Sequence, residues 1–401
     1  MWPLALIVMV LAVSPGCVCF VPVAEQAPDA GRLRGGGDDI STLTGSADTP
    51  AVALHEGTLH LFAHDPVTGE LKWCGDAVNG CTWQTLDGAG GSEGRTTANV
   101  AAECITAVSW GSALHVFYRQ DDANDAHTLR HGLYSGGSWL FETLDGLGGT
   151  HGRTLHRVGG CPSAAPYSVW LFITFYDYDD RALRLGWFGG VDWDFLTLDG
   201  KGGSSGRISA DVGYWSSMVS DGTSIRTYYS DATNQDLREG WWGGAADWTL
   251  ATRDGQAGQG TTDAIAGRIA TAFHESQVHV FYADTTQGQL RHAWSTPTWS
   301  SEVLDGDSTL GGRVTHAVGS RGIAATSASS GLHVFYDDAT GGDLRHASFT
   351  STWSWETADG DSSLGGRIVG DVGRNPASAA TTSGVWVFSE GPTQTIRQQA
   401  W

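Results

Sequence analysis

Polar side chains able to grip a ligand recur in this chain at a fixed place. Seven times a Leu or Ile is followed by a cation: Leu71-Lys72, Leu129-Arg130, Leu183-Arg184, Leu237-Arg238, Leu290-Arg291, Leu344-Arg345 and Ile396-Arg397. Two positions around this step vary from copy to copy. One lies two residues before the aromatic pair of the preceding run, or its positional equivalent; the other directly follows the cation. In chain order they hold His60 with Trp73, His115 with His131, Ile173 with Leu185, Arg226 with Glu239, His279 with His292, His333 with His346, and Trp386 with Gln398. Positions filled alike in every copy belong to the scaffold, whereas a polar pair present in some copies and absent from others is where a site can lie. On adjacent antiparallel strands the two members face each other. Ile173 with Leu185 offers nothing polar. Arg226 with Glu239 offers a guanidinium that can donate paired hydrogen bonds to vicinal hydroxyls and a carboxylate that can accept from them. An indole face beside them would cover the apolar C–H side of a sugar ring. The competing structural reading of Arg226 and Glu239 is a salt bridge between packed sheets. For the histidine pairs, neutral imidazoles packed between sheets come first, sugar contacts second, and metal binding third for want of a nearby third ligand.

The elements that must position these residues follow from the repeat. The Leu-cation steps stand 52 to 58 residues apart, a period suited to propeller blades, and the 3.6-residue periodicity of helical solenoids is missing. Each unit reads as four short strands: in one copy Ile323 to Ser327, Leu332 to Tyr336, Leu344 to Phe349 and Trp353 to Thr357. The second strand is almost continuously apolar, as expected where blades stack and bury both faces. The chain is therefore expected to be all-β, a seven-bladed β-propeller over 39–401. Its last unit ends after a third strand, and Ile40 to Gly45 resembles the missing fourth, with Leu43-Thr44-Gly45 standing where other units have Leu-Asp-Gly. The N-terminal strand is expected to close blade seven and leave no sheet edge free.

Gly-rich connections follow the fourth strands. In them Asp87, Asp145, Asp199, Asp305 and Asp359 are each followed eight residues later by Arg95, Arg153, Arg207, Arg313 and Arg367; Asp254 lacks that arginine. Glycine permits positive φ in a tight crossing, and an Asp/Arg pair within it could clasp the crossing. Calcium at Asp305-Gly306-Asp307-Ser308 and Asp359-Gly360-Asp361-Ser362 is the alternative, although the spacing of an EF-type loop is absent.

Met1 to Val13 is apolar and leads to Ser14-Pro15-Gly16-Cys17 and Val21-Pro22-Val23-Ala24, which reads as a secretory signal peptide over 1–24; lipid attachment at Cys17 is the alternative. Residues 25–38 read as a linker. Four cysteines remain in an exported chain. Cys74 and Cys81 would staple one hairpin, and Cys104 and Cys161, at matching places in successive units, would bridge neighbouring strands. Zinc is the weaker reading without CxxC or HxxxH spacing.

Composition narrows the function classes. The 401 residues carry 44 acids against 23 bases, a formal charge of −21, opposite in sign to a nucleic-acid footprint. No later stretch approaches the roughly 20 apolar residues of a membrane span. Fifty-six glycines, 18 tryptophans and 17 % charged residues suit a turn-rich β protein. No Ser-x-Asp-x-Gly-x-Thr-Trp box, GxSxG elbow or HExxH appears, so no catalytic motif and no cofactor is implied.

Blade four reads Ile225-Arg226-Thr227-Tyr228-Tyr229-Ser230-Asp231, then Leu237-Arg238-Glu239-Gly240-Trp241-Trp242. Here the chain resembles the fucose-binding propeller lectins of the Aleuria type, in which an Arg before an aromatic pair and a Glu after an Ile-Arg step hold the sugar. The resemblance implies that Arg226 and Glu239 bind sugar and that Trp294, from the neighbouring blade, stacks on it. The Leu-x-His form of blades two, five and six looks more like bacterial lectins of the Photorhabdus type, which have seven blades and usually carry Trp where this chain has Arg130, Arg291 and Arg345. The expectation is an exported, lectin-like propeller whose partners are glycans. The alternatives are a scaffold that binds a protein partner through its loops, and a propeller hydrolase of the sialidase or glycosidase kind, since paired carboxylates at a suitable separation are possible in so acidic a chain.

Overall fold

The computed structural model describes residues 38–42, 50–79, 81–121, 126–244, 247–255, 262–295, 298–361, 367–392 and 395–401. Seven four-stranded antiparallel sheets follow one another. Blades one to six span 51–87, 99–145, 158–199, 212–255, 265–305 and 318–359, and blade seven joins 374–400 to Asp38–Thr42. The first strands of successive blades touch in order, and the series closes between blades seven and one. The protein is a seven-bladed β-propeller. The only helical geometry among the described residues is a 3₁₀ turn at Leu310–Gly312.

Closure runs as expected: Asp38–Thr42 pairs antiparallel with Thr395–Ala400, with Asp39 opposite Arg397 and Thr42 opposite Thr395. The strand begins at Asp38, so that residue belongs to the propeller and not to the linker. Leu43-Thr44-Gly45, the 1–24 leader and the rest of the linker lie outside the described residues.

Second strands are buried on both faces, Gly331–Asp338 along its whole length, because a neighbouring blade covers each side. Seven apolar clusters occupy the spaces between and within blades.

The aspartate ending each fourth strand has a different partner from the one its spacing suggests. In blade three, Asp199 Oδ1 accepts the N–H of Gly200 (2.9 Å) and of Ile208 (2.8 Å), which fixes the crossing. Its Oδ2 reaches blade four and accepts Tyr229 Oη (2.7 Å) and Arg238 Nε (2.9 Å). Arg238 also donates to Gly206 O (2.7 Å) and Thr252 Oγ1 (2.9 Å). Arg207, eight residues after Asp199, instead donates to Leu198 O (2.9 Å). The arginine that each crossing aspartate clasps is thus the one of the next blade's Leu-Arg or Ile-Arg step: Asp87 with Arg130, Asp145 with Arg184, Asp254 with Arg291, Asp305 with Arg345 and Asp359 with Arg397. Asp254, irregular in spacing, keeps this role. Burial and the adjacent carboxylate push the Tyr229 phenol well above its ordinary pKa, so it stays a donor. Gly206, at φ +83°, brings the crossing against blade four, where a Cβ would collide with the Leu250 carbonyl.

Both expected disulfides are present. Cys74 joins Cys81 with a Cα separation of 5.4 Å, and Cys104 joins Cys161, linking the first strands of blades two and three at 4.7 Å.

Candidate functional site

Cross-strand register decides which side chains share a face. In blade four Arg226 lies opposite Trp241 and Tyr228 opposite Glu239, so all four point into the crevice facing blade five. Arg226 Nη1 donates to Glu239 Oε1 (2.8 Å), which also accepts from Tyr228 Oη (2.8 Å). Arg253, from the fourth strand, donates to Oε2 through Nε (2.6 Å). The Arg226–Glu239 bridge therefore lies within one sheet rather than between sheets. Glu239 is 1 % exposed and anchors two arginines, while the Arg226 side chain remains 21 % exposed. Burial and the Glu239 charge raise the Tyr228 pKa well above its ordinary value, keeping the phenol a donor. Trp241 is 39 % exposed at the mouth.

The ring that blade five contributes is Trp299, stacked on Tyr228 at 6.1 Å with the Arg253 guanidinium 5.8 Å from its centroid. Trp294 is on the other face of blade five. It stacks on His292 at 4.9 Å, and His292 packs against Trp353 of blade six at 5.2 Å. Trp294, expected beside Arg226 and Glu239, is therefore not in this crevice, because the alternation of side chains sends it away from blade four. Three buried donors in the 4–5 crevice, Arg226 Nε, Arg291 Nε and Trp299 Nε1, make no hydrogen bond among the described residues; Asp221 Oδ2 stands 3.5 Å from Arg226 Nε and Asp254 Oδ2 3.4 Å from Arg291 Nε.

The histidine pairs form three copies of one chain of hydrogen bonds. His115 Nδ1 lies 3.0 Å from His131 Nε2, and His131 Nδ1 lies 3.0 Å from Glu142 Oε1. His279, His292 and Glu302 repeat this at 2.9 and 2.9 Å, and His333, His346 and Glu356 at 3.0 and 3.0 Å. An ionised glutamate can only accept, so the second histidine carries its proton on Nδ1 and offers its Nε2 lone pair to the first. Burial, then repulsion from the partner imidazole, lowers the pKa of His115 to about 3 and those of His279 and His333 to about 4. The hydrogen bond from His346 lowers Glu356 to about 2. The next blade's indole is also taken, since Trp353 Nε1 donates to Glu302 and Trp401 Nε1 to Glu356, both at 3.1 Å. The cross-strand neighbour of Glu239 is Ala251, where the histidine blades have Glu142, Glu302 and Glu356. With only a methyl group there, no carboxylate reaches Trp299 and its N–H is left free.

Blade three is shifted from the expected alignment. Phe175 lies opposite Arg184 and Thr174 opposite Leu185, so Phe172, not Ile173, occupies the place of Arg226. The Phe175-Tyr176 pair misleads by one residue, and a one-residue shift reverses the face. Blade one substitutes a Trp73 Nε1 bond to His60 Nδ1 (3.1 Å). The aspartates considered for calcium are engaged: Asp305 binds Gly306, Val314, Tyr336 and Arg345, Asp307 pairs with Arg313 (3.0 Å), and Asp361 with Arg367 (3.3 Å).

Sequence reasoning singled out Arg226 and Glu239, which the fold brings together, but not the Tyr228, Arg253 and Trp299 that surround them. A signal existed, because Trp299 heads its fourth strand as Trp193 and Trp353 head theirs.

No family model and no curated protein matches the chain. Solved structures similar to it include a triple arginine-to-alanine mutant of AofleA from Arthrobotrys oligospora, 13 % identical over 83 % of this chain and 92 % of that one, TM-score 0.49. The SapL1 lectin in complex with alpha methyl fucoside is 14 % identical over 80 % and 98 %, TM-score 0.46. Trypanosoma rangeli sialidase in complex with the inhibitor DANA is 11 % identical over 81 % and 57 %, TM-score 0.47. At these identities the likeness concerns the fold alone.

Proposed function

We propose that this propeller is an exported carbohydrate-binding, lectin-like protein whose site is the crevice between blades four and five. The observation that carries the reading is the buried Trp299 Nε1, left without an acceptor among the described residues, beside the Arg226 guanidinium and an exposed indole, Trp241. A sugar hydroxyl supplies the missing acceptor, and the Trp241 ring can cover the C–H face of the sugar. Glu239 holds Arg226 and Arg253 in place, and its own oxygens are already engaged by them and Tyr228. The ligand is fucose or a related glycan, following the Arg226/Glu239 resemblance. A single such site binds in the millimolar to micromolar range, about −4 to −8 kcal/mol. The two disulfides suit the oxidising side of a membrane. Calorimetric titration of the mature protein with L-fucose and a small monosaccharide panel tests the reading. Saturable heat that Arg226→Ala abolishes supports it; no heat with any sugar from folded protein refutes it and favours the protein-binding scaffold.

A further inference from the structure

The crevice between blades three and four has a different lining. A cavity of about 290 Å³ is bounded by Trp170, Phe172, Trp187, Trp242 and Trp248, with Leu185, Leu196 and Asp247 completing it. The rings stand at steep mutual angles. Phe172 and Trp242 are 5.5 Å apart at 56°, and Phe172 and Trp248 are 6.3 Å apart at 73°. Rings set this way enclose the space from several sides instead of filling it as a stack. Gly189 makes room for Trp170, whose indole would collide with a Cβ there.

None of the buried polar atoms that lack a partner belongs to this cavity. Asp247, its only charged lining residue, already has both oxygens occupied: Oδ2 accepts Arg207 Nη1 (2.9 Å), and Oδ1 accepts Arg207 Nη2 (3.1 Å) and the Trp248 N–H (2.9 Å). The hydrogen bond from Arg207 holds its carboxyl below the ordinary range, so it is ionised. Arg207 does not line the cavity, so a ligand meets the negative end of the pair first.

We propose that this cavity is an aromatic cage for a quaternary ammonium group of the choline type. Ring faces attract a cation, and a fully methylated ammonium carries no N–H to be satisfied in a site lined almost wholly by aromatic and aliphatic surface. A sugar would set several hydroxyls, and a primary ammonium three donors, against that surface, where Asp247 alone offers acceptor oxygens. The acidic chain, with a formal charge of −21, adds a long-range pull on a cation. This inference stands apart from the sugar site, since it uses a different crevice.

Calorimetry with tetramethylammonium and choline, each against the neutral isostere 3,3-dimethyl-1-butanol, tests it. Saturable binding of both cations, at least tenfold tighter than the isostere, is expected. Phosphocholine and trimethyl-lysine, run in parallel, tell a headgroup source from a modified-lysine source by which binds tighter. Trp187→Leu keeps an apolar side chain but removes one ring face, and should weaken choline at least fivefold with an unchanged circular dichroism spectrum; Asp247→Asn should weaken it twofold or more. Equal affinity for the neutral isostere, or no cation binding by folded protein, overturns the proposal.

Discussion

The crevice between blades four and five and that between blades five and six are built on the same clasp, yet only in the second does the indole that heads the later blade's fourth strand find a carboxylate. In both, an aspartate of the earlier blade holds a Leu-Arg step and a tyrosine of the later one: Asp254 does so for blade five, and Asp305 for blade six. They diverge at three side chains. Where blade five has His279, His292 and Glu302, blade four has Arg226, Glu239 and Ala251. The histidine version closes a neutral chain whose glutamate also takes the indole N–H of Trp353. The arginine version leaves Trp299 Nε1 unclaimed, and Arg226 Nε meets Asp221 Oδ2 only at 3.5 Å. The acceptor that blade four omits is thus the difference between the two crevices.

The largest effect is expected where the crevices agree. Asp305→Ala strands Arg345 and Tyr336 in the interior and should cost about 3–5 kcal/mol, read as a lower denaturation midpoint. A loss under about 1 kcal/mol would mean that the clasps do not hold the ring together.

Arg226→Ala comes next. It should cost about 1.5–3 kcal/mol of sugar binding, as expected for hydrogen bonds to a charged group, with little change in the melting curve because the side chain is partly exposed. Unaltered affinity would remove this crevice from consideration.

Ala251→Glu recreates the carboxylate of the histidine blades. It should capture the Trp299 N–H and lower sugar affinity about tenfold, or roughly 1.4 kcal/mol. The reciprocal Glu302→Ala frees Trp353 Nε1 but should confer no sugar binding, since His279 and His292 still bond to each other. Gain of binding in that variant would show that the free indole alone is sufficient.

The most gradual effect is a pH dependence to which the histidine crevices contribute. His279 and His333 have folded pKa values near 4 against 6.5 in the unfolded chain. Between those values the unfolded state binds more protons, so stability is fully present above pH 6.5 and is lost as pH falls toward 4, by at most about 1.4 kcal/mol per pH unit per group. Glu356, lowered to about 2, continues the loss below pH 4.5. His279→Leu should flatten the slope in the upper window. A midpoint independent of pH from 7 to 4 would contradict the neutral assignment.

The seven-fold repeat, the strand count, the closing strand and both disulfide pairs were legible in the chain, because each leaves a local mark: a period, an apolar run, a matched cysteine. The polar pair Arg226 and Glu239 was legible as well, as a departure from the repeat. Register and facing were not. Trp294 and Trp299 are five residues apart in the chain, yet a turn between antiparallel strands puts the first on Trp353 of blade six, through His292, and the second on Tyr228 of blade four. Asp199 lies eight residues from Arg207 yet binds Arg238 of the next blade. Phe172 displaced Ile173 on the strength of one residue of register. Periodicity is written along the chain, so composition and spacing reveal it. Which side chain faces which crevice depends on the pairing of strands distant in sequence, and only the folded ring decides that.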